Sequence, residues 1–331
     1  MKTKQNHNNR IALLGVLLLA MGGSLLSCQQ GMDGEPLPQT DAPVPVEVQA
    51  SITGGATTRA SYDALGSGKS IGIFRLAQND YTLMKDVKYT NSGGTWAAAN
   101  TANKIYVGAQ TAKLCAYHST GTVSFEASGN GTVTTLTAQP YKANQDWWYA
   151  TKTTADVWKK TPAANFNMDH AYSRITFTLI RQSTYLGDCK VTKVALAPAS
   201  GTLSQTRKID ISSGTLTNLA SAAKLEWTPA SAGWTGIAAG ISAVGGAGNK
   251  EIDLLLPPQS FVAASLTVTL TIDGIAMSVA IPTGSGQTLN ALDAGQQYGI
   301  TLKLKGSSLK LDNVETQNWT EATVGSGYET H

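Results

Sequence analysis

The stretch Val44-Pro45-Val46-Glu47-Val48-Gln49-Ala50-Ser51-Ile52 determines the fold class that this sequence predicts. Apolar residues occupy every second position over nine residues, and this period of two fits a half-buried β-strand and not a helix. The same alternation returns at residues 174–179, 266–272 and 300–304. Because Gly, Asn, Asp and Ser separate these runs, we predict an all-β protein built from antiparallel sandwiches, with short helical segments only at residues 145–156 and 220–225.

Length and composition predict a folded chain with two domains. The chain has 331 residues, of which 42% are hydrophobic, and a formal net charge of +3. This composition excludes a disordered protein, and the length suggests two domains. We place them at residues 44–165 and 166–331, because apolar content falls near residues 162–167 before the next strand begins. The lysines are scattered, with an adjacent pair only at Lys159-Lys160, so the sequence gives no electrostatic signal for nucleic acid.

The amino terminus carries an export signal at residues 1–27. Basic residues precede a short apolar run at residues 11–21, which is the order found in secretory signals. The tetrad Leu25-Leu26-Ser27-Cys28 resembles the lipobox of bacterial lipoproteins, which implies lipidation of Cys28 and attachment to the outer membrane. The alternative is a plain secretory signal. Residues 28–43 are rich in Gln, Gly, Asp and Pro, as expected of a flexible tether.

Arg59 is the candidate processing site. Five arginines follow the export signal, and only Arg59 lies in a small, polar stretch, residues 54–61, of the kind that proteases reach. It follows directly on the most regular strand of the sequence. The alternative interpretation is a surface loop with a solvated arginine.

The sequence offers no set of residues typical of an enzyme. Residues 66–70 resemble the end of a phosphate loop but lack its first glycine and its following helix. We interpret the histidines after the export signal as structural, because none has a partner at metal-ligand spacing: His118, His170 and His331. We therefore predict no catalytic residue, no metal site and no cofactor. Cys115 and Cys189 could form a disulfide in an exported protein, but two buried free thiols are favoured.

Trp147, Trp148 and Tyr149 have two interpretations. Three consecutive aromatic residues could stack on the face of a sugar, but a buried aromatic cluster at the start of a strand is the more common arrangement. The first interpretation would make the chain a glycan-binding surface lipoprotein.

Several short motifs, taken in chain order, resemble those of the fimbrillin (Mfa-like) family of Bacteroidales. In the first half these are Thr58-Arg59-Ala60, Ile71-Gly72-Ile73-Phe74, Gly94-Thr95-Trp96, Ile105-Tyr106-Val107 and Leu114-Cys115-Ala116-Tyr117-His118. The second half adds residues 166–177, 255–259 and 294–298. The resemblance covers residues 44–305.

The resemblance implies two transthyretin-like β-sandwich domains in tandem and assembly into a type V pilus at the cell outer membrane and cell surface. An Arg-specific, trypsin-like protease would cut the lipidated precursor between Arg59 and Ala60. The strand before the cut would be lost, and with it the alternating side chains of Val44, Val46, Val48, Ala50 and Ile52. The carboxy-terminal strand of a neighbouring pilin subunit would take its place.

The resemblance also implies a donor strand in the tail, residues 306–331, with four apolar side chains: Leu309, Leu311, Val314 and Trp319. If the tail instead folds back as an edge strand of its own domain, the protein would be a tip or accessory subunit. Asp33 and Glu35 resemble the surface-export signal of these bacteria. The implied partners are other pilin subunits, the processing protease and a surface ligand, and the implied role is structural support of cell adhesion without enzymatic activity.

Overall fold

The computed structural model describes residues 42–54, 61–141, 146–228, 252–260, 265–282, 289 and 291–319. Within this part of the chain the regular structure is β-strand, apart from one 3₁₀ turn at Thr101–Asn103. The all-β prediction is therefore confirmed.

The strands of the amino-terminal half run up to His170. They are β1 (Val44–Pro45), β2 (Glu47–Gly54), β3 (Ser61–Ala64), β4 (Ser70–Arg75), β5 (Met84–Ser92), β6 (Thr95–Ala98), β7 (Tyr106–Val107), β8 (Leu114–Ser119), β9 (Val133–Thr137), β10 (Gln139–Pro140), β11 (Trp147–Ala150) and β12 (Ala163–His170).

The strands of the carboxy-terminal half follow from Ser173. They are β13 (Ser173–Arg181), β14 (Val191–Pro198), β15 (Leu203–Asp210), β16 (Thr215–Ala222), β17 (Leu225–Trp227), β18 (Ile252–Leu256), β19 (Gln259–Ser260), β20 (Ser265–Ile272), β21 (Ile275–Pro282), β22 (Ala291–Leu292), β23 (Gln296–Lys305) and β24 (Ser308–Asn318).

The two short helical segments predicted from the sequence are wrong where the structure describes them. Residues 147–150 form β11 between β8 and β12, and residues 220–222 end β16. The alanines at the end of β16 pair with β15, so strand pairing overrides the helix preference of alanine.

An eight-stranded sheet forms most of the amino-terminal half, in the order β3-β2-β12-β11-β8-β4-β5-β6. Its neighbouring strands are antiparallel except β2 and β12, which run parallel from Glu47 beside Ala163 to Ile52 beside Met168. Its inner face carries a buried core that includes Ile73, Phe166 and Met168. The parallel pair departs from the purely antiparallel pattern that the sequence predicted.

The carboxy-terminal half has the layered form of a β-sandwich. A five-stranded sheet has the order β10-β18-β13-β23-β24, and a four-stranded sheet has the order β17-β14-β20-β21. The second parallel pair among the described strands, β13 with β23, lies in the first of these sheets. Buried residues of both sheets, such as Phe177, Val268 and Ile300, form one core.

Strands and side chains connect the two halves. β9 pairs with β15, and β10 pairs with β18, so residues 133–140 extend sheets of the carboxy-terminal half. A third buried cluster combines Phe74, Tyr117 and Trp147 with Ile209 and Leu255. In addition, β12 continues across the predicted boundary at residues 165 and 166 as one strand of the amino-terminal sheet. The division into two domains stays a prediction.

Cys115 and Cys189 are buried and unpaired, as predicted. Burial raises the pKa of Cys115 to about 12 and that of Cys189 to about 11. Both thiols therefore stay protonated and unreactive at neutral pH.

Candidate functional site

The amino-terminal segment, residues 44–54, contributes to two sheets. β1 pairs with β7, which places Val44 opposite Val107, and the Val46 amide donates to the Ile105 carbonyl oxygen at 3.0 Å. From Glu47 onward the chain leaves β7 and joins the large sheet beside β12. One short segment therefore pairs with two different sheets that border the amino-terminal core.

The alternation in this segment corresponds to its burial. Val46, Val48 and Ala50 are buried, and Val44 and Ile52 pack against the same core while partly buried. Glu47 and Gln49, between them, are exposed. The half-buried strand predicted from the sequence is thus confirmed.

β2 lies inside the sheet and not at its edge. It is hydrogen-bonded to β12 on one side and to β3 on the other, and β3 has no other strand partner among the described residues. The Ser51 hydroxyl also donates to the Asn167 side-chain oxygen at 3.0 Å. Removing β2 would expose the edge of β12 and leave β3 without a neighbour. The sequence did not reveal this hairpin, because β3 is only four residues long.

The tail forms β24, the edge strand of the five-stranded sheet. It pairs antiparallel with β23 from Ser308 to Asn318. Leu309 is buried, and Leu311 and Val314 pack against the carboxy-terminal core while partly buried. Trp319 ends the described chain and is only 1% exposed. The described part of the tail therefore folds back onto its own sheet.

Trp319 is buried against a polar cluster between the two halves. Its ring stacks on that of His170 with 4.0 Å between centroids, and its amide donates to the Gly295 carbonyl oxygen at 2.7 Å. Trp148 donates to Nε2 of His170 at 3.2 Å, so Nδ1 carries the hydrogen and donates to Asp146 at 2.7 Å. Burial raises the pKa of Asp146, and the hydrogen bond from His170 opposes that rise. The interpretation of His170 as structural agrees with this geometry.

His118 is structural as well. It is buried, and its Nδ1 donates to the Ser70 carbonyl oxygen at 2.7 Å. Burial is the main cause that lowers its pKa, so the ring is neutral near pH 7.

The aromatic run is mostly core. Trp147 and Trp148 are buried, whereas Tyr149 is partly exposed and borders a surface cavity of about 280 Å³ beside Asn167 and Asp169. The interpretation of all three rings as a sugar-stacking platform is therefore wrong, because two of the rings have no free face.

The predicted processing and lipidation residues, Cys28, Arg59 and Ala60, lie outside the described residues. The other arginines after the export signal all lie in strands: Arg75, Arg174, Arg181 and Arg207. Each of them donates hydrogen bonds, for example from Arg75 to the Tyr106 carbonyl oxygen at 2.6 Å. An Arg-specific protease would need to open a strand to cut at any of these four sites.

The described residues contain no cluster of three His, Cys, Asp or Glu side chains that could hold a metal ion. In the same part of the chain, no helix has the length and apolar character needed to cross a membrane.

The sequence profile of the fimbrillin-like family matches residues 58–319, which is most of the chain. The chain belongs to the fimbrillin-like family. The resemblance seen in the sequence motifs is therefore confirmed. No curated protein sequence matches the chain.

Three solved structures share the fold of this fimbrillin-like protein. A proposed cell adhesion protein from Bacteroides ovatus is 16% identical, with a TM-score of 0.56 over 85% of this chain and 99% of that one. A proposed cell adhesion protein from Bacteroides uniformis is 19% identical, with a TM-score of 0.57 over 83% and 99%. A fimbrial protein from Bacteroides vulgatus is 10% identical, with a TM-score of 0.50 over 83% and 100%. At these identities the likeness shows the fold alone.

Proposed function

We propose that this protein is a structural subunit of a surface fimbria that supports cell adhesion. The observation that carries the proposal is the position of β2: a strand close to the amino terminus is inserted between β12 and β3 and completes a core that the rest of the chain leaves open. Membership of the fimbrillin-like family supports the same role. No enzymatic activity is part of this proposal.

Maturation would begin with lipidation of Cys28 and attachment of the precursor to the outer membrane. An Arg-specific, trypsin-like protease would then cut between Arg59 and Ala60, in the connection between β2 and β3. Two observations support this site: the other arginines of the mature chain are held in strands, and the family match begins at Thr58, one residue before Arg59.

Loss of β2 would require a replacement strand. Burial of Val46 and Val48 contributes at most about 3–6 kcal/mol together, against a typical domain stability of about 5–15 kcal/mol. A cut chain with an empty groove would therefore lose a large part of its stability. An extended strand of another pilin subunit, with alternating apolar side chains, would restore both the core and the main-chain hydrogen bonds.

Digestion of the purified precursor with an Arg-specific protease tests this proposal. We expect a stable fragment whose first residue is Ala60, followed by ladders on a denaturing gel that is run without heating. The matched control is Arg59→Ala, which should remain uncut and monomeric.

Two results would contradict the proposal. One is resistance of the wild-type chain at Arg59. The other is recovery of a cell-surface form that still contains its first strand. A chain whose first residue is lipidated Cys28 would be an anchored subunit that has kept β2 and has not undergone strand exchange. The alternative of a glycan-binding lipoprotein that uses Trp147 and Trp148 gains no support, because both rings are buried.

A further inference from the structure

A cavity of about 280 Å³ is lined by residues of β4, β5 and β8 and of the segment that follows β8. It is bordered by Ser70, Asp86, Lys88, Tyr117, Ser119 and Thr122. This volume is just below the range of about 300–1,000 Å³ that ligand pockets usually span, and its lining combines polar and apolar surface. We name it the Asp86 cavity.

Asp86 adopts a backbone conformation that few non-glycine residues use. Its φ is +47°, in the left-handed region, although it lies within a strand. The register of β4 and β5 places two residues, Lys85 and Asp86, opposite the single residue Phe74. A bulge of this kind re-aims a side chain, and strained non-glycine residues concentrate at functional sites.

Gly72 makes room for the re-aimed carboxylate. A Cβ atom at this position would lie 2.3 Å from Asp86 Oδ1 and 2.3 Å from Cε1 of the Tyr117 ring. Any side chain here would therefore displace both groups. The side chains of Asp86 and Tyr117 can lie this close to the backbone of residue 72 only because it is a glycine.

Three side chains form a fixed polar network in the cavity. The Tyr117 hydroxyl donates to Asp86 Oδ1 at 2.9 Å, and Lys88 Nζ lies 2.9 Å from the same oxygen. Lys88 also contacts the Tyr117 hydroxyl and lies over its ring, 4.4 Å from the centroid. Burial raises the pKa of Tyr117, so its hydroxyl keeps its hydrogen. The network holds the Asp86 carboxylate in one orientation.

This network leaves one acceptor and one donor side by side. The second carboxylate oxygen of Asp86 has no hydrogen-bond partner among the residues that the structure describes. The ammonium group of Lys88 has three N–H donors, and two of them are directed at Asp86 and Tyr117, so the third is available to a ligand. The side chains of Asp86 and Lys88 are 41% and 44% exposed. The Ser119 hydroxyl oxygen accepts from the Gly121 amide at 3.0 Å, so its hydrogen is available as a further donor.

A hydroxyl group donates one hydrogen bond and can accept two, so it can donate to a carboxylate oxygen while it accepts from an adjacent ammonium. Asp86 and Lys88 balance each other in charge, so the cavity favours neither an anion nor a cation. We propose that the Asp86 cavity binds a neutral saccharide, with neighbouring hydroxyls of one sugar ring on Asp86 and Lys88. This site is independent of strand exchange and would give the protein a ligand of its own.

Saturation-transfer NMR on the full-length chain tests the site. The probes are methyl α-mannoside, methyl β-galactoside, fucose, N-acetylglucosamine and N-acetylgalactosamine, with N-acetylneuraminic acid as the acidic comparison. We expect saturable binding of at least one neutral sugar and a loss of affinity of about tenfold or more in Asp86→Gly and in Asp86→Asn. Asp80→Asn, a change at an exposed aspartate outside the cavity, should bind like the wild type.

The variant Asp86→Gly separates a binding role from a structural one. Glycine adopts a positive φ without strain, so its melting temperature should stay within about 4 °C of the wild type while binding is lost. Asn also tolerates this backbone conformation and keeps the side-chain shape, so it serves if the glycine variant does not fold. The proposal is overturned if no neutral sugar binds, if only the acidic sugar binds, or if both Asp86 variants bind like the wild type.

Discussion

At the scale of single residues, Trp319 joins the end of the last described strand to the amino-terminal half. It stacks on His170, which is the last residue of β12, and it lies near Tyr141 and Arg174. The indole nitrogen of Trp319, Oδ1 of Asp146 and Nε of Arg174 are buried without hydrogen-bond partners within the described structure. Packing of the ring, and not hydrogen bonding of the indole N–H, therefore holds this contact.

Trp319→Ala should destabilise the chain by about 3–5 kcal/mol, because it removes a large, fully buried ring and leaves a cavity. Denaturant titration followed by circular dichroism measures this loss. The control is Tyr106→Ala, which truncates an aromatic side chain that is 42% exposed and should change stability by less than about 1 kcal/mol. Equal effects of the two changes would mean that the ring is not buried in solution.

His118 predicts a pH dependence of stability. Burial lowers its pKa in the folded chain below the ordinary value of 6.5, so the unfolded chain binds more protons at mildly acidic pH. The free energy of unfolding should therefore fall as the pH drops below about 6.5, and the contribution of this residue should be constant above that value.

Urea titrations of the wild type and of His118→Gln between pH 5 and pH 7.5 measure this effect. Gln keeps a donor for the Ser70 carbonyl oxygen but does not titrate. Below about pH 6.5, the free energy of unfolding should depend less steeply on pH in the variant than in the wild type. An unchanged dependence would assign the effect to other titrating groups.

At the scale of elements, β24 decides whether the protein can donate a strand as well as accept one. β24 is paired with β23 along its whole length and is fixed at its end by Trp319. It can complete a neighbouring subunit only after it separates from β23. A subunit whose β24 stays in place would accept a strand at the amino-terminal groove and donate none, as expected of a tip or accessory subunit.

A disulfide between β23 and β24 tests the donor role. Gln297 and Gln317 lie directly opposite each other on the two strands, with Gln317 exposed and Gln297 partly buried. Cys115 and Cys189 are buried and unpaired, and Cys28 is replaced by serine in all forms tested so that it cannot compete for the new thiols. If β24 is the donor, the oxidised double variant Gln297→Cys/Gln317→Cys should stop at single subunits after cleavage at Arg59, whereas the reduced form should make ladders. Ladders of equal length from both forms would show that β24 is not the donor.

At the scale of the whole molecule, the two halves depend on each other. β9 pairs with β15, and the cluster around Phe74 and Tyr117 is covered by Ile209 and Leu255 from the other half. A fragment of residues 42–170 would leave this apolar surface open to water and β9 without a partner strand.

We therefore expect the fragment 42–170 to bind a hydrophobic dye strongly and to lose cooperative unfolding. Addition of the fragment 171–331 should restore both properties. Dye fluorescence and thermal denaturation of each fragment, alone and mixed, provide the measurement. Cooperative unfolding of 42–170 alone would mean that the contacts between the halves are not needed for folding.

The sequence predicted the strands better than their partners. Alternation identified residues 44–52 correctly because a strand with one buried face has a period of two that depends on local sequence alone. The parallel pairing of β2 with β12 joins residues more than one hundred positions apart, and no local pattern encodes such a pairing. The helical segment predicted at residues 220–225 failed for the same reason, since β15 supplies the partner that makes those residues a strand.

The candidate sites show the same limit. Arg59 and Cys28 were proposed from short local patterns and stay predictions, whereas Asp86 and Lys88 gave no signal, because the cavity needs Gly72 and Tyr117 from two other strands. An aspartate and a lysine in alternate positions of a strand are ordinary on a solvent-facing surface. Only the bulge and the positive φ of Asp86 distinguish them, and both are tertiary features.

The position of β2 between two neighbours has a mechanical consequence. A strand that is hydrogen-bonded on both sides and pulled along its own axis must break many bonds at the same time, whereas a strand peeled from one side breaks them one after another. Any strand that occupied this slot in a filament would be loaded in shear along both β12 and β3. The contact between subunits would then withstand a larger pulling force, such as the drag of flowing liquid on an attached cell, than the small apolar area buried by one strand suggests.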